Sequence, residues 1–122
     1  MNGADFLADT NAVLYLLAGN TCMAPYLGKR LAVSVISVME LLSFSSISFE
    51  EEKIIRAFLD HCEVVQIRDS IVEKTIQIRR HYNVKLPDAI IAASAISNNL
   101  SLLTAYTGIF KIQELKANKL QP

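Results

Sequence analysis

The sequence predicts an α/β domain, with helices packed around a parallel sheet. Two observations carry this. Short apolar segments rich in valine, isoleucine and leucine alternate along the chain with stretches of helical periodicity, the pattern of successive strand–helix units. The chain is also 122 residues long and 52% hydrophobic, with no repeat, low-complexity run or internal linker. That is enough for one domain, 1–122, with a single packed core.

The elements follow in order. "ADFLAD" (4–9) is a short apolar run ending in Thr10 and Asn11, consistent with a buried strand. A helix follows over "AVLYLLAGN", closed by Gly19 and Asn20, and a second short one over "CMAPYLG", with Pro25 near its start and Gly28 at its end. "RLAVSVIS" (30–37) is the second strand, and "SVMELLSF" the helix after it, with Ser37 as N-cap. "SFEEEKIIRAFLDHC" is a clear helix: Ser48 caps it, three glutamates fill its first turn, and Ile54, Ile55, Phe58 and Leu59 recur at helical spacing. "EVVQI" (63–67) is the third strand, and "DSIVEKTIQIRRHY" places Ile71, Thr75, Ile78 and Tyr82 on one helical face. An alanine-rich helix from Pro87 to about Asn98 leads into a fourth strand, "LSLLT" (100–104). A last helical turn is expected within "IFKIQELK", and "KANKLQP" reads as frayed helix and tail.

Composition excludes several classes of function. Twelve basic and twelve acidic residues cancel, so the domain lacks the positive field of a nonspecific nucleic-acid binder; a nucleic-acid substrate must be held locally or through a cation. No apolar stretch approaches the roughly 20 residues of a membrane-spanning helix. "MNGADFLADTN" carries two aspartates and no basic flank, so no signal peptide is expected. Cys22 and Cys62 form no metal-type pair and fit a reducing cytoplasm. The glycines, at 3, 19, 28 and 108, write neither a P-loop nor a dinucleotide fingerprint, and no G-x-S-x-G elbow occurs. His61 and His81 lie far apart without ligand-like company and read as surface residues, which argues against zinc.

What remains is a set of acids in unusual places. Asp9 ends an apolar strand, Glu40 sits between Met39 and Leu41 in the helix after strand two, and Asp88 heads the alanine-rich helix. Singly, each has an ordinary explanation: a turn or N-cap aspartate, a solvated helix glutamate, a carboxylate complementing the helix dipole. Together they weigh differently. A doubly wound sheet gathers functional groups beyond the carboxyl ends of its strands, where strand order reverses, and it can bring all three segments to one crevice. Carboxylates packed there repel one another, and a divalent cation relieves that repulsion. An all-oxygen ligand set suits magnesium or manganese, which bridge to phosphate and activate water for phosphodiester hydrolysis.

These acids and their contexts, "FLADTNAVLYLLAGN", "AVSVISVMELLSF", "KLPDAIIAASAISNNLSLLT" and the trailing "FKIQEL", resemble the PIN-domain family, in particular the ribonuclease toxins of VapBC-type type II toxin–antitoxin modules. The matching pieces span nearly the whole chain, and "LPDAIIAASA…LLT" is the most specific of them. The resemblance implies a three-layer α/β/α fold with a four- or five-stranded parallel sheet and an endoribonuclease site dependent on Mg²⁺ or Mn²⁺. By matching position, Asp9, Glu40 and Asp88 would be its catalytic and metal-binding acids. Asn11 would order the site through hydrogen bonds and Thr104 would help hold a ligand or water; Thr10 is the lesser supporting candidate, its side chain satisfying the turn. The resemblance further implies a homodimer, silenced by a small antitoxin inserted in the active-site groove, acting on structured RNA such as transfer or ribosomal RNA.

The chain departs from the family pattern beyond Thr104. The pattern calls there for an Asp or Asn two positions on, often with a further Asp, whereas this sequence reads "TAYTGIF" and places Tyr106 at the first position. An alternative expectation follows: a PIN-like domain with weakened catalysis, acting as an antitoxin-binding or RNA-binding module. A phosphorylation-receiver domain, which also clusters acids at strand ends, fits poorly. Strand one offers a single acid, Arg68 precedes Asp69 after strand three, and Ala105 rather than a lysine follows Thr104. Lys29, Arg30, Arg79, Arg80, His81 and Lys85 could touch an RNA backbone but read first as a solvated face. Leu14, Leu17, Met23 and Tyr26 read mostly as core, with a possible share in an interface.

Overall fold

The computed structural model describes residues 3–122. Five parallel strands form one sheet in the order β3-β2-β1-β4-β5: β1 (Phe6–Ala8), β2 (Leu31–Ser34), β3 (Glu63–Val65), β4 (Ser101–Thr104) and β5 (Ala117–Lys119). The chain winds outward from β1 to β3 and then returns to the other side of β1 for β4 and β5. Strand order therefore reverses between β1 and β4, which are hydrogen-bonded neighbours.

Side chains alternate along each strand and so divide the core in two. Leu7, Ala32 and Leu102 face one layer, which holds α4 (Asp69–His81) and α5 (Leu86–Ser97). Ala8, Leu31, Val33 and Leu103 face the other, where α1 (Thr10–Leu17), α2 (Val35–Leu42) and α3 (Phe49–Leu59) pack with Met23. Both sheet faces are covered, which is why the strands read as unbroken apolar runs. The result is the expected three-layer α/β/α arrangement.

Local chemistry explains most boundaries. α3 begins with a full capping box: Ser48 Oγ accepts from the Glu51 N–H at 3.0 Å, and Glu51 Oε1 accepts from the Ser48 N–H at 2.9 Å. Ile71, Thr75 and Ile78 form the buried face of α4, while Tyr82, expected to extend that face, is the extended residue that ends the helix. In α5, Ala89, Ala92, Ala93 and Ala95 are all fully buried, and small side chains let this helix lie close to both the sheet and α4. Larger residues there would overpack, at a cost of about 1–3 kcal/mol each.

Three expectations are corrected. β2 stops at Ser34, and α2 is capped by Ser34, whose Oγ accepts from the Ile36 N–H at 3.1 Å, rather than by Ser37. The β-branched Val35 and Ile36 favour a strand locally, but tertiary packing folds them as the first turn of the helix. The segment 22–28 is a 3₁₀ helix, Thr21–Tyr26, with Pro25 towards its end. Finally, the helical turn expected within 109–116 is a 3₁₀ turn that begins earlier, and the segment 116–122 is neither frayed helix nor tail. A 3₁₀ turn covers Thr107–Lys111, and residues 117–119 form an edge strand. That strand is fixed on β4 by Leu102 N–H to Lys116 O and Leu120 N–H to Thr104 O, both 2.8 Å, with Leu120 buried beneath it. Its polar sequence is typical of an edge, where lysine blunts further pairing.

Candidate active site

The carboxyl ends of β1 and β4 meet at the point of strand reversal, and an open cleft of about 620 Å³ lies above them. Asp9, Thr10, Asn11, Leu14, Glu40 and Asp88 line it, together with Ser43, Phe44, Ile91 and Tyr106. The three acids proposed from sequence thus share one cavity, and each reaches it for a different local reason.

Asp9 follows β1 and is the N-cap of α1, its Oδ1 accepting from the Ala12 N–H at 2.8 Å. It is therefore both the capping residue of the ordinary reading and a cleft residue. Its carboxylate also accepts a hydrogen bond from the Thr104 side chain, across the β1–β4 pairing. Burial raises its pKa from the ordinary 3.8; the Thr104 and Ala12 bonds oppose that, and the charges of Asp88 and Glu40 reinforce it.

Asp88 stands in the first turn of α5, after Pro87, where the helix dipole favours a negative charge. Lys85, the residue before the helix, supplies no side-chain cap. The Asp88 pKa is raised from 3.8 by burial and then by the Glu40 charge, with Lys85 partly offsetting both. Two of the acids are thus held above the ordinary carboxylate range, each partly by its acidic neighbours. Like charges facing one cavity produce such shifts.

Glu40 is exposed on α2, and Thr10 steadies it. The Thr10 hydroxyl lies 2.5 Å from Glu40 Oε1 and 2.8 Å from Ser37 Oγ. With one proton to give, it serves the carboxylate and turns a lone pair towards the serine. Thr10 therefore does more than satisfy its turn: it joins the start of α1 to the acid of α2. Thr104 is buried at the end of β4, and besides bonding Asp9 its Oγ1 accepts from the Tyr106 N–H at 3.0 Å. Asn11 lines the cleft and is exposed, and its side chain makes no hydrogen bond among the described residues.

The groups able to face a cation offer oxygen donors only, from carboxylates, hydroxyls and the Asn11 amide, the set suited to a hard divalent ion. As they stand, no group of three His, Cys, Asp or Glu side chains among the described residues closes around an ion. Asp9 is fixed by its cap, whereas Glu40 is exposed and, among the described residues, has its one side-chain partner in Thr10. Ser37, Ser43, Phe44 and Ile91 were not evident from the sequence as site residues, whereas Leu14 was among the apolar residues given a share in an interface. Phe44 carried the clearest signal, an aromatic just past the end of the helix bearing Glu40.

The basic residues of the α4 end, Arg79, Arg80 and His81, are exposed and lie in its last turn, where they complement the dipole. His61 is exposed as well. Among the described residues, no helix is long and apolar enough to cross a membrane.

Fold and cleft together define a doubly wound α/β domain with an acidic site at its switch point. The chain belongs to the PIN domain family, whose sequence model matches residues 6–114. Members of this family are generally nucleases that use divalent metals. No curated protein sequence matches the chain. Among solved structures, it is similar to a toxin–antitoxin complex from Klebsiella pneumoniae, with 29% identity over 90% of this chain and 94% of that one and a TM-score of 0.78. It also resembles VapBC-1 from nontypeable Haemophilus influenzae (22% identity, 93% and 96% covered, TM-score 0.81) and VapBC2 from Rickettsia felis bound to a promoter DNA fragment (21%, 95% and 98%, 0.79). The last two, at this identity, speak for the fold.

Proposed function

We propose that the chain is a divalent-cation-dependent endoribonuclease, the toxin of a type II toxin–antitoxin module. The observation that carries this is the convergence of Asp9, Glu40 and Asp88 on one open cleft at the switch point, with Asp9 and Asp88 each raised partly by neighbouring carboxylates. Mg²⁺ or Mn²⁺ held by these three acids would neutralise their repulsion, activate a water and polarise a phosphodiester. The chain's own groups divide the remaining work. Asp9, fixed by Ala12 N–H and Thr104, is the rigid member. Glu40, steadied by Thr10, is the exposed member able to adjust. Asp88 is presented from the first turn of α5, with Lys85 close enough to oppose its rise in pKa.

Structured RNA, transfer or ribosomal, is the proposed substrate. A small antitoxin covering the cleft and a second copy of the chain are the proposed partners. The family and the likeness to toxin–antitoxin complexes support this assignment. Purified protein should cleave RNA with Mg²⁺ or Mn²⁺. Asp9→Asn and Asp88→Asn should each lower the rate by about two orders of magnitude or more, comparable to the loss of a key electrostatic group. Asparagine caps a helix about as well as aspartate, so Asp9→Asn removes charge while keeping α1 intact. A wild type inert towards several RNAs with both metals would sink the enzymatic reading.

Tyr106, standing where the family pattern has an acid, favours a second reading: a PIN domain with weakened catalysis that binds RNA or antitoxin. Mn²⁺ binding that Asp9→Ala abolishes would speak against a pure binding module.

A further inference from the structure

The segment after β4 departs from the family pattern, and its geometry explains two residues at once. Tyr106 is 43% exposed and lines the same cleft as the three acids. Its ring rests over Gly108: a Cβ built on that glycine would meet the ring carbons Cζ at 2.5 Å and Cε1 at 2.8 Å, and would meet the hydroxyl as well. Positive φ occurs at Gly19 and Gly28 but not at Gly108, so the backbone there does not require glycine. The glycine leaves a seat for the tyrosine ring, which any side chain at 108 would displace. The backbone beneath is pinned too, since Tyr106 N–H donates to Thr104 Oγ1, the group that also bonds Asp9. The ring therefore has a resting place in the cleft that the acids share, which lowers the freedom it loses on gaining a partner.

We infer that Tyr106 is a substrate-positioning residue: its seated ring stacks on an unpaired nucleobase next to the phosphodiester held at the acids. This rests on the proposed function for its substrate, RNA in this cleft, but not on hydrolysis. A net charge of zero leaves little general attraction for a polyanion. An aromatic platform adds affinity that needs no positive charge and tolerates any base, because every base has a π-face. Replacing an acid by a tyrosine also removes one source of repulsion towards the phosphate backbone. The selectivity this imposes is for a flipped-out or loop nucleotide over a paired one.

The test uses the full chain in an Asp9→Asn background, which blocks hydrolysis during titration. Binding is followed by fluorescence anisotropy of a short labelled single-stranded oligoribonucleotide and of a fully paired duplex. Tyr106→Ala should weaken single-strand binding about tenfold, and Tyr106→Phe should stay within about twofold of the parent. Gly108→Ala keeps the ring but unseats it, and should lose most of the same affinity. Duplex binding should respond to none of these changes. Phe49→Ala removes an aromatic that is 77% exposed outside the cleft and should change nothing. Circular dichroism of each variant checks the fold, and Tyr106→Phe reports on the ring even if the alanine variant misfolds, because retained affinity there is required.

Equal binding by Tyr106→Ala and its parent overturns the inference, as does an equal loss for the duplex. So does unchanged RNA binding accompanied by weaker binding of the antitoxin, which would assign the ring to a protein partner. If single-strand binding depends on Tyr106 but the wild type hydrolyses no RNA, the nuclease reading fails and this one stands. If the wild type hydrolyses RNA and Tyr106→Ala binds normally, the reverse holds.

Discussion

The two walls of the cleft are built on opposite principles. The wall from β1, α2 and α5 is acidic: Asp9, Glu40 and Asp88 converge there, and burial, reinforced by neighbouring carboxylates, raises the pKa of Asp9 and Asp88. The wall after β4 carries no acid. It offers Thr104, which hydrogen-bonds Asp9, and then Tyr106 seated on Gly108. One wall thus holds an ensemble of like charges that is unfavourable alone, and the other steadies it with the Thr104 hydroxyl and adds an aromatic ring to the cleft. A site can lose one of its family's acids and keep its shape, because Thr104 ties the acidic wall to the backbone of the altered one.

Making the second wall acidic is the strongest way to break that contrast. Tyr106→Asp should tighten Mn²⁺ binding by about tenfold, the scale on which supporting groups act on metal sites, while weakening binding of single-stranded RNA. Titration calorimetry for the metal and anisotropy for the RNA separate the two effects; unchanged metal affinity would mean that position 106 does not face the cation.

A smaller effect follows from cutting the link between the walls. Thr104→Val keeps the buried volume and deletes the hydroxyl that lowers the Asp9 pKa, so that pKa should rise further. The acid limb of the cleavage–pH profile should shift to higher pH, with a loss of several-fold to about tenfold at neutral pH. An unmoved acid limb would remove Thr104 from the site.

The acidic wall alone makes a prediction about stability. Asp9 and Asp88 have folded-state pKa values raised above 3.8, so between that value and their folded values the native state holds more protons than the unfolded chain. Stability of the metal-free protein should then fall as pH rises through this window. Saturating Mn²⁺ should flatten the slope by compensating the charges. Thermal melts across the acid range, with and without metal, read this directly, and a metal-free Tm that climbs with pH over that window would contradict it.

Outside the cleft lining, Ser48→Ala removes the α3 capping box and should cost about 1 kcal/mol, with cleavage unchanged. Any loss of cleavage would mean that α3 communicates with the cleft.

How much of this was legible in the sequence differs between the walls. Asp9, Glu40 and Asp88 were readable because each interrupts an apolar segment whose periodicity already fixes its place beside a strand end. The Asp9–Thr104 bond was not, since it depends on β1 pairing with β4 across more than ninety residues, a non-local choice no local pattern reports. The Ser34 cap was missed because β-branched Val35 and Ile36 imitate a strand. β5 was missed because an edge strand of Ala117, Asn118 and Lys119 needs apolar support on one side only, chiefly from Leu120. Gly108 was legible only as part of the altered "TAYTGIF" run; the ring above it gives it a reason.

The account's central claim is that the acidic wall is a single divalent-cation site. Calorimetric titration of Mn²⁺ into the wild type and Asp9→Ala tests it most directly. The account predicts saturable binding near one ion per chain in the wild type, lost in the variant. No binding by the wild type, or equal binding by a folded Asp9→Ala variant, would contradict it.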